Sequence, residues 1–198
     1  MKKFVCGILA FTLLAIGVLG CAKKETVPAR GVWDGRTYTN TEAGIKLTVP
    51  DGYNIYSDEE LIEWKGYPES FYDDVKSQSG YYDVRITDEN SKMSIKYDVN
   101  LRKNYTVQQY MNLTSVEFTT QKYNGEVREV IYEDIVEIKL SGNLYLYRGY
   151  MLEGVDDYYA AYCLRVISGS VTTFMTFSGN SKEQVNAYLA FFDTASVE

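Results

Sequence analysis

Residues 144–177 read LYLYRGYMLEGVDDYYAAYCLRVISGSVTTFMTF. Three apolar, tyrosine-rich runs are divided by two short polar breaks. Leu144 to Leu152, Tyr158 to Ile167 and Val171 to Phe177 read as strands, because β-branched and aromatic residues suit a pleated surface. Glu153-Gly154-Val155-Asp156-Asp157 and Ser168-Gly169-Ser170 read as turns. Successive strands joined by short turns make an antiparallel meander. Upstream, Val127 to Leu140 supplies another strand, and Ser141-Gly142-Asn143 turns it into the meander. The apolar phase of that run changes near Glu133-Asp134, which predicts a bulge or turn there. Tyr82 to Asp88 and Met93 to Val99 alternate on either side of Glu89-Asn90-Ser91 and read as a hairpin. Ile45, Leu47 and Val49 alternate with Lys46 and Thr48, and Pro50-Asp51-Gly52 ends that strand.

Three segments read as helices. Ser57 with Glu60 three residues on is a capping box, followed by Leu61 and Trp64. Thr106 opens a second helix, with Val107, Tyr110, Thr114 and Phe118 on one face. Ser181 opens a third, Gln184 completing its box, with Val185, Tyr188, Leu189 and Phe192 on one side. A mostly antiparallel twisted sheet with helices packed on it is an α+β fold. From Gly31 onward there is no second linker, repeat or low-complexity tract. One domain over 31–198 buries around 70% of its unfolded surface, enough for a core without disulfides.

The N-terminus is an address. Residues 1–20 combine Lys2 and Lys3 with an uncharged apolar run from Phe4 to Gly20, short for a membrane span. Val18-Leu19-Gly20-Cys21 resembles a bacterial lipobox. That resemblance implies cleavage before Cys21 and lipidation of its thiol. An uncleaved signal anchor and a plain secreted protein are the alternatives. Two acyl chains, of palmitate type, give stable anchoring. Of the 3 Cys, Cys6 leaves with the signal and Cys21 takes the lipid, so Cys163 stands alone and reads as a buried, inert thiol. Residues 21–30 read as a lipidated tether, of roughly 30 Å when extended. Lys23, Lys24 and Arg30 are drawn to anionic headgroups by about 1 kcal/mol each. The remaining body carries 15 basic and 26 acidic residues. It is therefore expected to stand off the bilayer, on the extracytoplasmic face of the cell membrane.

Composition excludes several chemistries. The chain has 198 residues, a net charge of -7, 19 Tyr and no His. Without His there is no Ser-His-Asp triad, no Cys-His dyad and no His-ligated metal or haem. The acidic balance argues against nucleic acid as a partner. No phosphate-binding glycine loop is present. No cofactor and no metal is expected.

The stretch Tyr38-Thr39-Asn40 through Gly44-Ile45-Lys46-Leu47-Thr48-Val49-Pro50-Asp51-Gly52-Tyr53 resembles the opening of PsbP-like proteins and related Mog-type α/β/α sandwiches. The shared pattern is an aromatic residue, a nearby Asn, Gly with an apolar strand, then Pro-x-Gly-aromatic. Ile45 stands where an aromatic is usual, and Tyr53 where Trp is usual. Thr106-Val107-Gln108-Gln109-Tyr110 resembles the start of that family's middle helix. The chain also resembles lipoproteins of anaerobic Gram-positive bacteria that have no assigned role. The resemblance implies an α/β/α sandwich, and an accessory subunit or protein-binding adaptor. It carries over no functional residue.

Ser57 to Asp83 holds eight acidic residues against Lys65 and Lys76, interleaved with aromatics. Trp64, Tyr67, Tyr72, Asp73, Asp74, Tyr81 and Tyr82 are the candidate binding surface, suited to a cationic peptide, a sugar or an amine. The plainer reading is a covering segment with aromatics inward and acids solvated. The adjacent pairs Asp73-Asp74, Glu133-Asp134 and Asp156-Asp157 are weak candidates for glycoside hydrolysis, since strand neighbours point to opposite faces. Tyr145, Tyr147, Tyr150, Tyr158, Tyr159 and Tyr162 form either a core stripe or an exposed one; sequence leaves this open. The expected function is a non-catalytic, lipid-anchored binding or accessory protein of the cell envelope, with an envelope protein as partner. The alternatives are a small-ligand or glycan-binding lipoprotein using 57–83, and a carboxylate hydrolase.

Overall fold

Alternating apolar strands must bury one face or both, and here both faces of one sheet are used. The computed structural model describes residues 25–99 and 105–193; the signal sequence over 1–20 and Cys21 lie outside the described residues. The first strands are β1 (Val32–Asp34), β2 (Thr37–Asn40), β3 (Ile45–Thr48) and β4 (Asn54–Ile55). Helix α1 (Asp58–Lys65) and a 3₁₀ segment (Glu69–Ser77) precede β5 (Gly80–Thr87) and β6 (Lys92–Val99). Helix α2 (Val107–Glu117) leads to β7 (Thr120–Tyr123), β8 (Glu126–Tyr132) and β9 (Val136–Leu140). The chain closes with β10 (Asn143–Leu152), β11 (Tyr159–Ser168), β12 (Val171–Gly179) and α3 (Lys182–Leu189).

The large sheet runs β4-β5-β6-β12-β11-β10-β8-β7, every pair antiparallel. β9 also pairs with β10, beside β8 on the same edge. The expected meander is therefore present, and the fold is α+β. The predicted break in Val127–Leu140 separates β8 from β9 at Glu133–Ile135. There the Glu133 N–H donates to the Gly149 carbonyl at 2.9 Å, and Arg148 Nε donates to the Glu133 carbonyl at 2.8 Å. A Cβ on residue 149 would run into the Tyr159 hydroxyl and the Glu133 carboxylate, so both side chains would have to shift to admit one.

Side-chain alternation divides the core. Met175 and Phe177 on β12 share a face with Ile95, Tyr97, Cys163, Tyr145 and Tyr147. β1, β2 and β3 form a second, three-stranded sheet over this face, and α3 packs beside it through Val185 and Tyr188. On the other face Tyr162, Leu164 and Met111 of α2 make a smaller cluster. α1 covers the β5 end of that second face.

The helix starts follow their caps. Ser57 Oγ accepts from the Glu60 N–H, and Glu60 Oε2 accepts from the Ser57 N–H. Thr106 and Gln109 exchange the same pair of bonds. In α3, Ser181 caps Gln184, but the Gln184 amide reaches back to Asn180 instead. The expected face of α2 is corrected. Met111 is its fully buried side chain, Val107 and Tyr110 flank it, and Phe118 lies beyond the helix end and is exposed.

The tether also differs from expectation. Residues 25–31 lie on the body, with Val27 buried. Their anchor is Asp83. The β5–β6 register shifts between Tyr82 and Val84, so Asp83 is an inserted bulge residue turned inward. Its carboxylate has no exposure and accepts from Arg30 Nε at 2.9 Å, the Gly31 N–H at 2.8 Å and the Tyr38 hydroxyl at 2.5 Å. Burial pushes the Tyr38 and Tyr97 hydroxyls up, so both stay neutral, 3.1 Å apart. Burial opposes the Arg30 charge, but its bonds to Asp58 and Asp83 outweigh that and raise its pKa. Asp83→Ala strips the buried partner from Arg30, Gly31 and Tyr38. It is expected to lower the unfolding free energy by about 3–5 kcal/mol, read as a reduced urea midpoint.

Candidate functional site

The 57–83 segment satisfies itself. Trp64 meets Tyr82 edge-on at 5.0 Å, with the Arg85 guanidinium 3.9 Å and the Lys65 ammonium 4.8 Å from its ring centre. Lys65 also sits 4.4 Å from the Tyr82 ring centre. Tyr67 stacks on Phe71 at 3.8 Å. Tyr72 lies under Arg30 at 4.0 Å and donates to the Tyr82 carbonyl at 2.7 Å. Tyr81 is fully buried and donates to the Pro28 carbonyl at 3.1 Å. Asp73 and Asp74 are exposed on the 3₁₀ segment. The fold thus gathers Trp64, Tyr67, Tyr72 and Tyr82, but their ring faces are covered by the chain's own side chains. Tyr81 is core rather than surface. This is the covering role.

The tyrosines of the meander are sorted by parity. Tyr145, Tyr147 and Tyr159 lie in the main core, beneath α3 and the small sheet. Tyr150, Tyr158 and Tyr162 take the opposite face, where α2 covers only part of the sheet. A groove of about 220 Å³ opens there, lined by Phe118, Gln121, Tyr132, Tyr150, Tyr162 and Phe174. Ring contacts run from Tyr123 to Tyr158, Tyr150, Tyr162 and Phe174 at centroid spacings of 5.3, 6.3, 6.5 and 5.8 Å. Gln121 sets their polar tips. Its amide donates to the Tyr158 hydroxyl at 2.8 Å and accepts from the Tyr150 hydroxyl at 3.3 Å. A second hollow of about 330 Å³ lies at the end of the sheet, with Asp88, Glu89 and Asp157 beside Tyr123 and Tyr158.

Burial pushes the Tyr150 and Tyr132 phenols up, so they act as neutral hydrogen-bonding groups and not as bases. Burial likewise pushes the Cys163 thiol up, and the side chain is inaccessible, so it is no nucleophile. Among the described residues no group of three His, Cys, Asp or Glu side chains could hold a metal. The groove therefore offers aromatic faces, an amide and neutral phenols, which is binding chemistry. Sequence alone missed Gln121 and Phe118 as members. The signal available was the period-2 phase of the tyrosines; which phase lies under a helix was not in it.

Glu133 is the other notable carboxylate. Burial works against its charge. Hydrogen bonds from Lys182 at 2.7 Å and Tyr159 at 2.8 Å nonetheless hold it below its ordinary 4.5.

No protein-family model and no curated protein matches the chain. Among solved structures it is similar to cyanobacterial PsbP (CyanoP) from Synechocystis sp. PCC 6803, with a TM-score of 0.47 and 12% identity over 82% of this chain and 97% of that one. It is also similar to the extracellular domain of PknH from Mycobacterium tuberculosis, with a TM-score of 0.35 and 8% identity over 70% of this chain and 74% of that one. Neither likeness carries a function or a site to this chain. No helix among the described residues is long and apolar enough to cross a membrane.

Two outcomes follow from this geometry. Trp64→Ala is expected to cost roughly 2 kcal/mol of stability, through lost packing and lost cation–π contact. A denaturant titration measures it. A depressed carboxylate stabilises the fold above its unfolded value, and that stability is lost as pH falls through the lower folded value. Stability is therefore expected to decline below pH 4.5, and Glu133→Gln to flatten that part of a thermal pH profile.

Proposed function

We propose that this chain is a non-catalytic binding module of the cell envelope, held on the extracytoplasmic face of the membrane through a lipid on Cys21. Its partner, an envelope protein, docks on the outer half of the large sheet. One observation carries this reading. Among the described residues, eight of the nine exposed large hydrophobic side chains fall between Tyr105 and Met151. Ile131 and Met151 are direct cross-strand neighbours, 48% and 41% exposed, with Val127 four residues back along β8 on the same face, beyond Glu129. An exposed apolar pair on neighbouring strands, rimmed by charged side chains such as Glu129 and Glu153, has the make-up of an interaction surface.

The packing of residues 25–31 sets the orientation of the module. The Glu25 carboxylate accepts from the Ser170 N–H at 2.9 Å and from the Ser170 hydroxyl, at the β11–β12 turn. A lipid on Cys21 then lies within about 14 Å of Glu25, four extended residues away. The β11–β12 turn faces the bilayer, and the acidic end near Asp88 and Asp157 faces outward. The groove beside α2 supports a second reading, capture of a small aromatic or sugar ligand, because Gln121 holds two tyrosine hydroxyls at its wall.

A photo-crosslinking side chain at Met151, in cells, tests the proposal. The expected result is one dominant envelope protein, lost with Ile131→Asp while the melting temperature stays unchanged. Equal labelling from Met151 and from Glu69, or no loss with Ile131→Asp, overturns it. Saturable binding of a soluble ligand that Tyr150→Ala abolishes would favour the groove instead.

A further inference from the structure

The β9 strand offers an open edge. It pairs with β10 on one side only. Among the described residues, no backbone or side-chain hydrogen bond reaches residues 136–140 from the other side. Ser141 and Gly142 both have positive φ, 47° and 76°, the signature of a two-residue type I′ turn. That turn makes Leu140 and Asn143 a hydrogen-bonded pair, so Leu140, Ile138 and Val136 spend their backbone groups on β10. The backbone N–H and C=O of Glu137 and Lys139 point outward. Both side chains are exposed, and among the described residues neither has an ion-pair partner within the chain. On the opposite face, Val136 is 48% exposed beside a hollow between β9 and α3 lined by Ile138, Tyr147 and Leu189.

This edge is complementary to itself. Placing a second copy antiparallel, with Ile138 on the two-fold axis, sets Glu137 opposite the partner's Lys139 and Lys139 opposite the partner's Glu137. These are the residues whose backbone groups point outward, so both ion pairs fall on hydrogen-bonding positions. Four new ladder bonds form. On the apolar face, Ile138 meets the partner's Ile138, and Val136 falls in register with the partner's Leu140, which its own chain already buries. We infer that β9 is the contact of a symmetric homodimer in which the two large sheets join into one. The occupant is a second copy because the alternation Val-Glu-Ile-Lys-Leu places opposite charges across the dyad in this register. A one-residue slip would bring each side chain to the wrong face.

The test uses the full lipidated chain in detergent micelles, with sedimentation as the readout and circular dichroism as the check on folding. The wild-type chain is expected to dimerise. Glu137→Lys alone and Lys139→Glu alone each set like charges opposite one another, and each should weaken the dimer by roughly tenfold or more. The double exchange, Glu137→Lys with Lys139→Glu, restores it. A second experiment does not depend on those variants folding. Glu137→Cys chains mixed with Lys139→Cys chains should form an interchain disulfide under mild oxidation several-fold faster than either alone. A monomeric wild type, a double exchange that stays dissociated, or equal cross-linking in the unmixed samples overturns the inference. So does a foreign protein whose binding depends on these same two charges.

Discussion

A carboxylate with no exposure holds three parts of this protein together. Asp83 belongs to the large sheet, Tyr38 to the small sheet, and Arg30 and Gly31 to the segment that enters the fold. Burying a charge is costly unless donors surround it, and here a guanidinium, a backbone N–H and a phenol do so. The extra residue in β5 lets consecutive residues, Asp83 and Val84, both face the core, where strict alternation would turn one of them out. With Asp83 bonded to Tyr38, the small sheet is fixed against the large one. Asn40 then closes the corner, its side chain accepting from the Ala43 N–H and donating to the Ala29 carbonyl.

The large sheet divides the tyrosines between two environments. On the small-sheet face they are core, with Tyr97 bonded to Tyr38, Tyr147 to Asn186 and Tyr159 to Glu133. On the α2 face they line an open groove. The same residue type serves both because its ring is apolar and its hydroxyl takes a partner at the boundary. α2 is too short to cover the sheet out to β7 and β8. Val127, Ile131 and Met151 are exposed on the other face of β8 and β10, the one that carries the small sheet nearer the middle.

The edges of the two sheets are treated differently. Residues 191–193 close the outer edge of β3, with the Thr48 N–H donating to the Phe191 carbonyl and the Asp193 N–H to that of Lys46. β4 and β7 end their sides as strands of two and four residues. Short edge strands and covered edges limit unwanted pairing. β9 is five residues long, alternates apolar and charged side chains, and carries no such cover among the described residues.

Most of the architecture was legible in the chain. The meander, the β5–β6 hairpin, the break near Glu133 and all three helix caps are local patterns, and local patterns survive folding when tertiary contacts agree with them. The lack of His bounds the chemistry by composition alone. What the chain could not state was long-range. Residues 25–31 are short and carry no strand or helix pattern, and they look like a tether until Asp83, more than 50 positions away, supplies their partner. The aromatic-acidic stretch over 57–83 looks like an open surface until Arg30 and Arg85 are found on its rings. The tyrosine stripe alternates, but alternation names two faces without saying which one a helix covers. Sequence therefore determined the strands, the caps and the excluded reactions, because those depend on neighbours along the chain. Tertiary structure alone decided which aromatic faces are free and where the sheet ends, because those depend on residues brought together across it.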